Sequence, residues 1–217
     1  MTQFETEMQD VKSEVIRMWQ LVLSQLLKSR EAMLNFDKDL AREVIAREKR
    51  VNALELKIDS DCENIFALYC PVAIDLRFLL AALKINTNLE RIGDIADGIS
   101  RYIVDSPAKF NREILESTQL LQMFEGSISI LTDAQAAFEF ENTLLARTIF
   151  SRDDMLDEIN KNADNNISKY ILENLKNINE ALFVLSIIRK LERVGDQSKN
   201  IAEEIIFYVE AKVLKHQ

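Results

Sequence analysis

The stretch 88-NLERIGDIADGI-99 contains three acidic residues and two glycines, inside a run of apolar residues that otherwise predicts one long amphipathic helix. A glycine in a helix interior costs about 1 kcal/mol relative to alanine. A second stretch, 190-KLERVGDQSKNI-201, repeats the pattern Leu-Glu-Arg-x-Gly-Asp 102 positions later. Glycine therefore occurs twice in the same setting, at Gly93 and Gly195, which indicates a need for space beside both helices or for tight helix packing alone.

The composition around these stretches predicts an all-α fold. The chain has 217 residues, of which 47% are hydrophobic and 29% charged, but only four are glycine and two are proline. Apolar residues recur three and four positions apart almost throughout, and alternating runs of β-branched or aromatic residues are absent. Helical periodicity with so few turn residues indicates long helices joined by short connections.

The few helix-breaking residues divide the chain into six predicted helices, with approximate ranges 5–36, 39–69, 71–104, 110–140, 143–172 and 177–213. Pro71 begins the third helix, where a missing N–H costs nothing, and Pro107 marks the midpoint of the chain. The apolar stripes of the second and third helices match those of the fifth and sixth at offsets of 105 and 102. We therefore expect two tandem antiparallel three-helix bundles side by side, formed by residues 1–106 and 107–217.

Charge and hydropathy exclude several classes of function. The net charge is −9, and no cluster of Lys and Arg could neutralise a nucleic-acid backbone, so direct nucleic-acid binding is not expected. No apolar run reaches eighteen residues and the N-terminus lacks a signal region, so we expect a cytoplasmic protein.

Cys62 and Cys70 are expected to be buried free thiols. The aromatic positions Trp19, Phe138 and Phe140, with Met18, could form either core or a dimer surface.

A polar stripe lies one residue beyond each apolar stripe. In the second and fifth helices it comprises Glu48, Asn52, Glu55 and Asp59, and Asp153, Asp157, Asn160 and Asp164. In the third and sixth it comprises Asn86, Glu90, Asp94 and Asp97, and Glu192 and Asp196. With antiparallel packing about turns near Cys70 and Asn174, Glu48 and Asn52 oppose Glu90 and Asp94, and Asp153 and Asp157 oppose Glu192 and Asp196.

Acids brought together in this way repel one another unless protons or cations intervene. One such stripe on its own would be a solvated surface, but its repetition in both halves predicts bound cations. Oxygen ligands without nearby Cys or His favour hard cations such as iron(III), manganese, magnesium or calcium over a structural zinc. The only histidine, His216, is expected in an exposed tail, and no nucleophilic triad or phosphate-binding glycine loop occurs, so no enzyme activity is expected. Arg91 and Arg193, next to the acids, could form salt bridges or contact an anion held by the metal.

The repeated LERxGD, the E/DxxxD pairs, the segment 71-PVAIDLR-77 and the ending 201-IAEEIIFYV-209 resemble the PhoU family of bacterial phosphate-uptake regulators over almost the whole chain. The resemblance implies two three-helix bundles with multinuclear clusters of iron, or of Zn, Mn or Mg, at the E/DxxxD motifs. It also implies a homodimer on the inner face of the membrane. There it would negatively regulate the phosphate-starvation response by linking the ATPase subunit of the phosphate ABC transporter to a sensor histidine kinase.

Residue by residue, the resemblance assigns metal binding to the acids Glu48, Glu90 and Asp94 in the first half, and to Asp153, Asp157, Glu192 and Asp196 in the second. Asn52 and Asp97 complete the set of candidate metal-site residues in the first half. Two positions depart from the expected pattern, because Asn52 replaces a carboxylate and Lys199 stands where the first half has Asp97. Glu55 or Asp97 could compensate for Asn52, and we expect the second site to be the more complete.

The leading functional hypothesis is a metal-binding regulator without enzyme activity. The alternatives are an accessory protein that gates a phosphate transporter directly without kinase signalling, a hydrolase that uses a metal-bound hydroxide, and a plain helical scaffold.

Overall fold

The computed structural model describes residues 2–213, in which seven α-helices and one 3-10 turn occur and no strand. The elements are α1 Gln3–Asn35, α2 Lys38–Tyr69, α3 Ala73–Asp105, α4 Arg112–Ser117, α5 Leu120–Glu139, α6 Thr143–Glu173, the 3-10 turn Leu175–Asn177 and α7 Ile178–Glu210. The all-α prediction with six long helices is confirmed. The sixth predicted helix ends earlier, at Glu210 and not at 213.

Polar side chains cap the starts of three of the long helices, α1, α2 and α6. Thr2 and Glu5 form a capping box at α1, in which the Thr2 hydroxyl accepts from the Glu5 amide at 3.2 Å. Asp37 accepts from two amides at the start of α2, and Asn142 accepts from the Leu145 amide at the start of α6. Each cap satisfies amides that have no partner within the helix and so stabilises its first turn.

Three local predictions differ from the structure. The predicted fourth helix is broken, because Thr118 ends α4 and Gln119 adopts a left-handed conformation with φ of 56° before α5 begins. The third helix begins at Ala73, two residues after Pro71. Cys62 is buried as predicted, but Cys70 is exposed because it forms the left-handed C-cap of α2. His216 lies outside the described residues.

The helices form two three-membered bundles, α1–α3 and α5–α7, joined mainly along α3 and α7. These two helices run antiparallel, since Arg77 near the start of α3 donates to the Tyr208 carbonyl near the end of α7 at 3.3 Å. At the other end, the rings of Tyr102 and Phe183 lie 5.4 Å apart. The LERxGD segments of the two repeats therefore lie near the middle of the same interface. No helix within residues 2–213 is long and apolar enough to cross a membrane.

An aromatic cluster holds the two bundles together at one end of this interface. It combines one residue from each of α1, α3, α5 and α7, namely Trp19, Phe78, Phe138 and Tyr208, with ring centroids 5.7 to 6.3 Å apart. The Trp19 indole also donates to the Leu131 carbonyl at 3.0 Å. Trp19, Met18 and Phe138 are therefore core residues, whereas Phe140 is 74% exposed.

Replacing Phe138 with alanine is expected to destabilise the whole chain, because it opens a cavity where both bundles contribute side chains. Such substitutions cost about 3–5 kcal/mol, which corresponds to a fall in the melting temperature of roughly 6–20 °C for a chain of this size. The control is Phe140→Ala, which removes the same group from the surface and is expected to shift the melting temperature by less than about 2 °C. Thermal unfolding followed by circular dichroism measures both, and equal shifts would contradict the assignment of Phe138 to the shared core.

Candidate metal centre

In the first repeat, the carboxylate of Glu48 on α2 lies against Gly93 on α3. A Cβ atom at position 93 would lie 3.4 Å from Glu48 Oε2 and 3.0 Å from Val51 Cγ1. It would also lie 3.5 Å from Oε1 of Gln25, which reaches the same place from α1. Glycine therefore leaves room for oxygen atoms from two neighbouring helices, which gives a physical reason for its presence inside the helix.

Burial and neighbouring acids raise the pKa values of Glu48 on α2 and Glu90 on α3. Burial raises the pKa of Glu48 to about 7, the hydrogen bond from Gln25 opposes this rise, and the charges of Asp94, Asp97 and Glu90 add to it. The pKa of Glu90 is raised by burial and by Asp94 and Glu55. The predicted opposition of Glu48 to Glu90 and Asp94 is thus present in the structure.

Two of the predicted first-repeat positions are placed differently. Asn52 is exposed and takes no part in these interactions, whereas Glu55, one helical turn on, interacts with both Asp94 and Glu90. Asp97 interacts with Glu48, but its two carboxylate oxygens accept hydrogen bonds from Arg101 at 2.6 and 3.1 Å. The first cluster is therefore formed by Glu48, Glu55, Glu90 and Asp94, with Asp97 at its edge.

This cluster contains buried oxygen atoms that lack a partner. Gln25 is fully buried, and its amide donates to Glu48 Oε2 at 3.3 Å and to the Val44 carbonyl at 3.4 Å. Gln25 Oε1 and Glu48 Oε1 accept no hydrogen bond. Within residues 2–213, no Lys or Arg forms an ion pair with any of the four acids of the cluster. Unpartnered buried oxygens are costly, so the donor set present here fits a hard cation.

Gln25 was not found from the sequence, although a signal for it exists. The buried positions Val11, Val15, Met18 and Val22 of α1 follow a regular spacing of four and three, and Gln25 and Ser29 continue it. Two polar residues in an otherwise apolar stripe indicate a buried polar function. Ser29 uses its hydroxyl locally, contacting the Gln25 and Ala96 carbonyls and Ser100.

In the second repeat, Asp153 on α6 packs against Gly195 in the same way. Asp153 is only 1% exposed, and a Cβ atom at position 195 would overlap its Oδ1 atom. The ammonium of Lys199 forms ion pairs with Asp153 and, at 3.2 Å, with Asp196. Burial opposes the charged form of Lys199, but these two acids raise its pKa overall. A side-chain cation therefore lies among the acids of this repeat.

The remaining acids of the second repeat are close to this pair. Burial raises the pKa of Asp153, Lys199 opposes the rise, and Asp157 and Asp196 add to it. Burial likewise raises the pKa of Glu192, together with the charges of Asp196, Asp157 and Asp153. The four predicted acids Asp153, Asp157, Glu192 and Asp196 thus come together. In the described part of the chain, no three acidic, His or Cys side chains stand in an arrangement ready to hold a metal ion, so metal ligation stays a prediction.

A groove of about 660 Å³ between α3 and α7 lies between the two acidic clusters. Its lining includes Arg91, Lys190 and Arg193 together with Asp94 and Asp196. Arg91 and Arg193 are exposed, and neither forms an ion pair in the range that the structure describes. The charge of Arg91 nevertheless opposes the rise in the pKa of Glu90, and that of Arg193 opposes the rise in the pKa of Glu192, so both roles predicted for these arginines stay open.

Two fused three-helix bundles, each with an acid packed against a glycine of the facing helix, define a class of tandem helical-repeat proteins with acidic clusters between helices. The family model of the PhoU domain matches residues 15–103 and 120–205, and the chain belongs to the PhoU family. Among its curated relatives is the phosphate-specific transport system accessory protein PhoU of Escherichia coli (strain K12), 33% identical over 214 residues, which cover 99% of this chain and 88% of that protein.

Solved structures show the same fold. The crystal structure of PhoU from Pseudomonas aeruginosa matches with a TM-score of 0.91 and 30% identity, and the match covers 97% of this chain and 100% of that one. The phosphate transport system regulatory protein PhoU from Streptococcus pneumoniae matches with a TM-score of 0.89 and 27% identity, covering 99% and 100%. The likeness extends over both repeats and is not confined to one bundle.

Without metal, the protein is expected to lose stability as the pH rises from about 5 to about 8. The folded state retains the Glu48 proton up to about pH 7, whereas the ordinary pKa of this group is 4.5, so the folded state binds more protons in that window. After allowance for solvent screening, the free energy of unfolding is expected to fall by about 1–2 kcal/mol across this window because of Glu48. This corresponds to a fall of roughly 2–8 °C in melting temperature.

Thermal unfolding in EDTA across this pH range measures the effect. Glu48→Gln is expected to flatten the pH dependence, whereas the exposed Glu63→Gln on the same helix is expected to follow the wild type. A wild-type slope that Glu48→Gln leaves unchanged would contradict the role given to Glu48.

Gly195→Ala is expected to destabilise the protein although alanine favours helix, because its Cβ would overlap the buried Asp153 carboxylate and approach Leu156 Cδ1 at 2.9 Å. Overpacking of this kind costs about 1–3 kcal/mol, which exceeds the gain in helix propensity of about 1 kcal/mol in most of that range. Gly93→Ala is the matched comparison and is expected to cost less, since its closest contact is 3.0 Å. Chemical denaturation measures both. The Gly195→Ala cost is expected to shrink in an Asp153→Ala background, and a cost that stays the same there would refute the steric explanation.

Proposed function

We propose that this protein is a metal-binding negative regulator of phosphate uptake and of the phosphate-starvation response. It associates with the ATPase subunit of a phosphate ABC transporter and passes the transporter's state to a sensor histidine kinase. The observation that carries the metal-binding part is Glu48, an acid held between helices, with one oxygen lacking a partner and with Glu90 and Asp94 beside it.

The phosphate part of the proposal rests on the relatives. The Escherichia coli relative is named as an accessory protein of the phosphate-specific transport system, and the Streptococcus pneumoniae structure as a phosphate transport regulatory protein. Both matches cover nearly the whole chain, so the proposed role belongs to the whole protein and not to one repeat. An accessory role also agrees with a sequence that offers no nucleophilic triad and no phosphate-binding glycine loop.

The first-repeat oxygens would hold the cation through Glu48, Glu90 and Asp94, with Glu55 and the free Oε1 of Gln25 nearby. A bound cation supplies positive charge where the acids repel one another, and it would fix α2 against α3. The all-oxygen donor set favours hard ions. Iron is the ion that we propose, with manganese and magnesium as the next candidates, and more than one ion per cluster.

Regulation follows from the position of the cluster. The acids lie beside the groove between α3 and α7, where the two repeats meet and where Arg91 and Arg193 are free of ion pairs. Loading or loss of metal would change the charge of this groove and the stability of the first bundle together. We propose that transporter and kinase sense this change from the cytoplasmic side of the membrane, and that the regulator works as a homodimer.

Direct gating of the transporter without a kinase is the second candidate. It is favoured by the relatives' names, which mention the transport system and no kinase. Co-purification separates the two, since direct gating requires the transporter ATPase and retains no kinase.

Metal analysis of tag-free protein tests the proposal, with Glu48→Gln/Glu90→Gln as the test variant. We expect wild-type protein to carry stoichiometric metal and the variant to lose it by more than about 10-fold, since two of the ligands become neutral. The charge-matched control is Glu63→Gln/Asp105→Asn, which neutralises two exposed acids on the same helices and is expected to keep its metal.

The regulatory part is measured in cells with a reporter of phosphate-responsive expression. Deletion of the protein is expected to leave the reporter active in phosphate-rich medium, and the control variant to restore repression where the test variant does not. Reporter expression that deletion leaves unchanged in both phosphate-rich and phosphate-starved cells would refute the signalling proposal. A folded wild type that takes up no metal would end the metal proposal.

A further inference from the structure

The two acidic clusters differ in one respect that the repeat does not predict. In the second repeat, Lys199 places its ammonium between Asp153 of α6 and Asp196 of its own helix. The Lys199 side chain is 29% exposed, whereas that of Asp153 is only 1% exposed, so the lysine reaches inward from the edge of the site. The most buried carboxylate of the second repeat therefore already has a cation.

The first repeat has an acid at the corresponding position. The offset of 102 that aligns Gly93 with Gly195 aligns Asp97 with Lys199. Asp97 is held by Arg101, whose side chain is 61% exposed, and this arginine forms no ion pair with Glu48, Glu90 or Asp94 in the described residues. The carboxylate of Glu48 packs against Gly93 as Asp153 packs against Gly195, but within the described residues it has no ion-pair partner, whereas Asp153 is paired with Lys199.

A metal ion in the second repeat would have to displace this lysine. Asp153 fits between the helices because Gly195 has no side chain. Lys199 forms ion pairs with both Asp153 and Asp196. An expelled ammonium would lose two ion pairs, and the metal would then compete with a tethered cation that is always present at high local concentration. Asp157, which is exposed, and Glu192 are the only acids of the four that Lys199 leaves unpaired.

We propose that Lys199 is the built-in cation of the second repeat and that it confines metal binding in this protein to the first repeat. The inference rests on the proposed function, because it takes metal binding by the first repeat as given. The repeat alone would predict metal in both halves, whereas this inference places metal only in the first.

The test is uptake of Mn²⁺, a hard cation with oxygen preference, by the full chain after equilibrium dialysis. In the Glu48→Gln/Glu90→Gln background no bound Mn²⁺ is expected. Adding Lys199→Met to that background is expected to restore binding of at least about one Mn²⁺ per chain, while adding Lys161→Met is not. Lys161 is the matched control, since it is an exposed lysine on α6 and forms no ion pair in the described part of the chain.

A second measurement needs no metal. In EDTA, Lys199→Met is expected to lower the melting temperature by at least about 5 °C, because the buried Asp153 loses its partner. Asp153→Asn in the same background is expected to recover part of this loss. An unchanged melting temperature in Lys199→Met would overturn the inference.

The outcomes separate this inference from the function on which it rests. If Glu48→Gln/Glu90→Gln retains Mn²⁺ that a further Glu192→Gln removes, the inference is wrong and metal binding by the protein stands. If wild-type protein takes up no Mn²⁺ but Lys199→Met does, the role of Lys199 is supported and the first-repeat site is wrong. If neither takes up Mn²⁺, both proposals fail.

Discussion

The structure depends on one repeated packing constraint, which is a carboxylate from one helix pressed against a glycine of the next. Glu48 meets Gly93 and Asp153 meets Gly195, so that neither helix can carry a larger side chain there without moving its neighbour. The constraint fixes the register of α2 on α3 and of α6 on α7. It also places a negative charge where the surroundings are apolar, which is unfavourable unless a proton or a cation is present.

The two repeats meet this electrostatic demand differently. In the second, the ammonium of Lys199 from the same bundle pairs with Asp153 and Asp196. In the first, the Gln25 amide supplies one hydrogen bond to Glu48 and leaves other oxygen atoms without partners. The two repeats thus share one frame, in which the buried acid forms an ion pair in the second repeat and none in the first within the described residues.

The sequence predicted the long helices, their antiparallel pairing and the contact between Glu48 and the acids of α3, because apolar periodicity and distance from a turn determine these features. It did not predict the break at Gln119, where one left-handed residue interrupts an apolar pattern that continues on both sides. Gln25 was missed because polar stripes were sought only on the second, third, fifth and sixth helices, and Gln25 lies on the first. The role predicted for Asn52 belongs to Glu55, one helical turn further on. Lys199 was recognised as a departure, but the direction of a long flexible side chain cannot be obtained from spacing.

The aromatic cluster of Trp19, Phe78, Phe138 and Tyr208 has a thermodynamic consequence for ligand binding. Because all four rings come from different helices and both bundles contribute, neither bundle has a complete core without the other. The two repeats are therefore expected to unfold as one cooperative unit. A ligand that binds only the folded state of one bundle stabilises the unit that contains it. An ion bound in the first repeat would then protect the helices of the other repeat from unfolding, with no change in the shape of those helices.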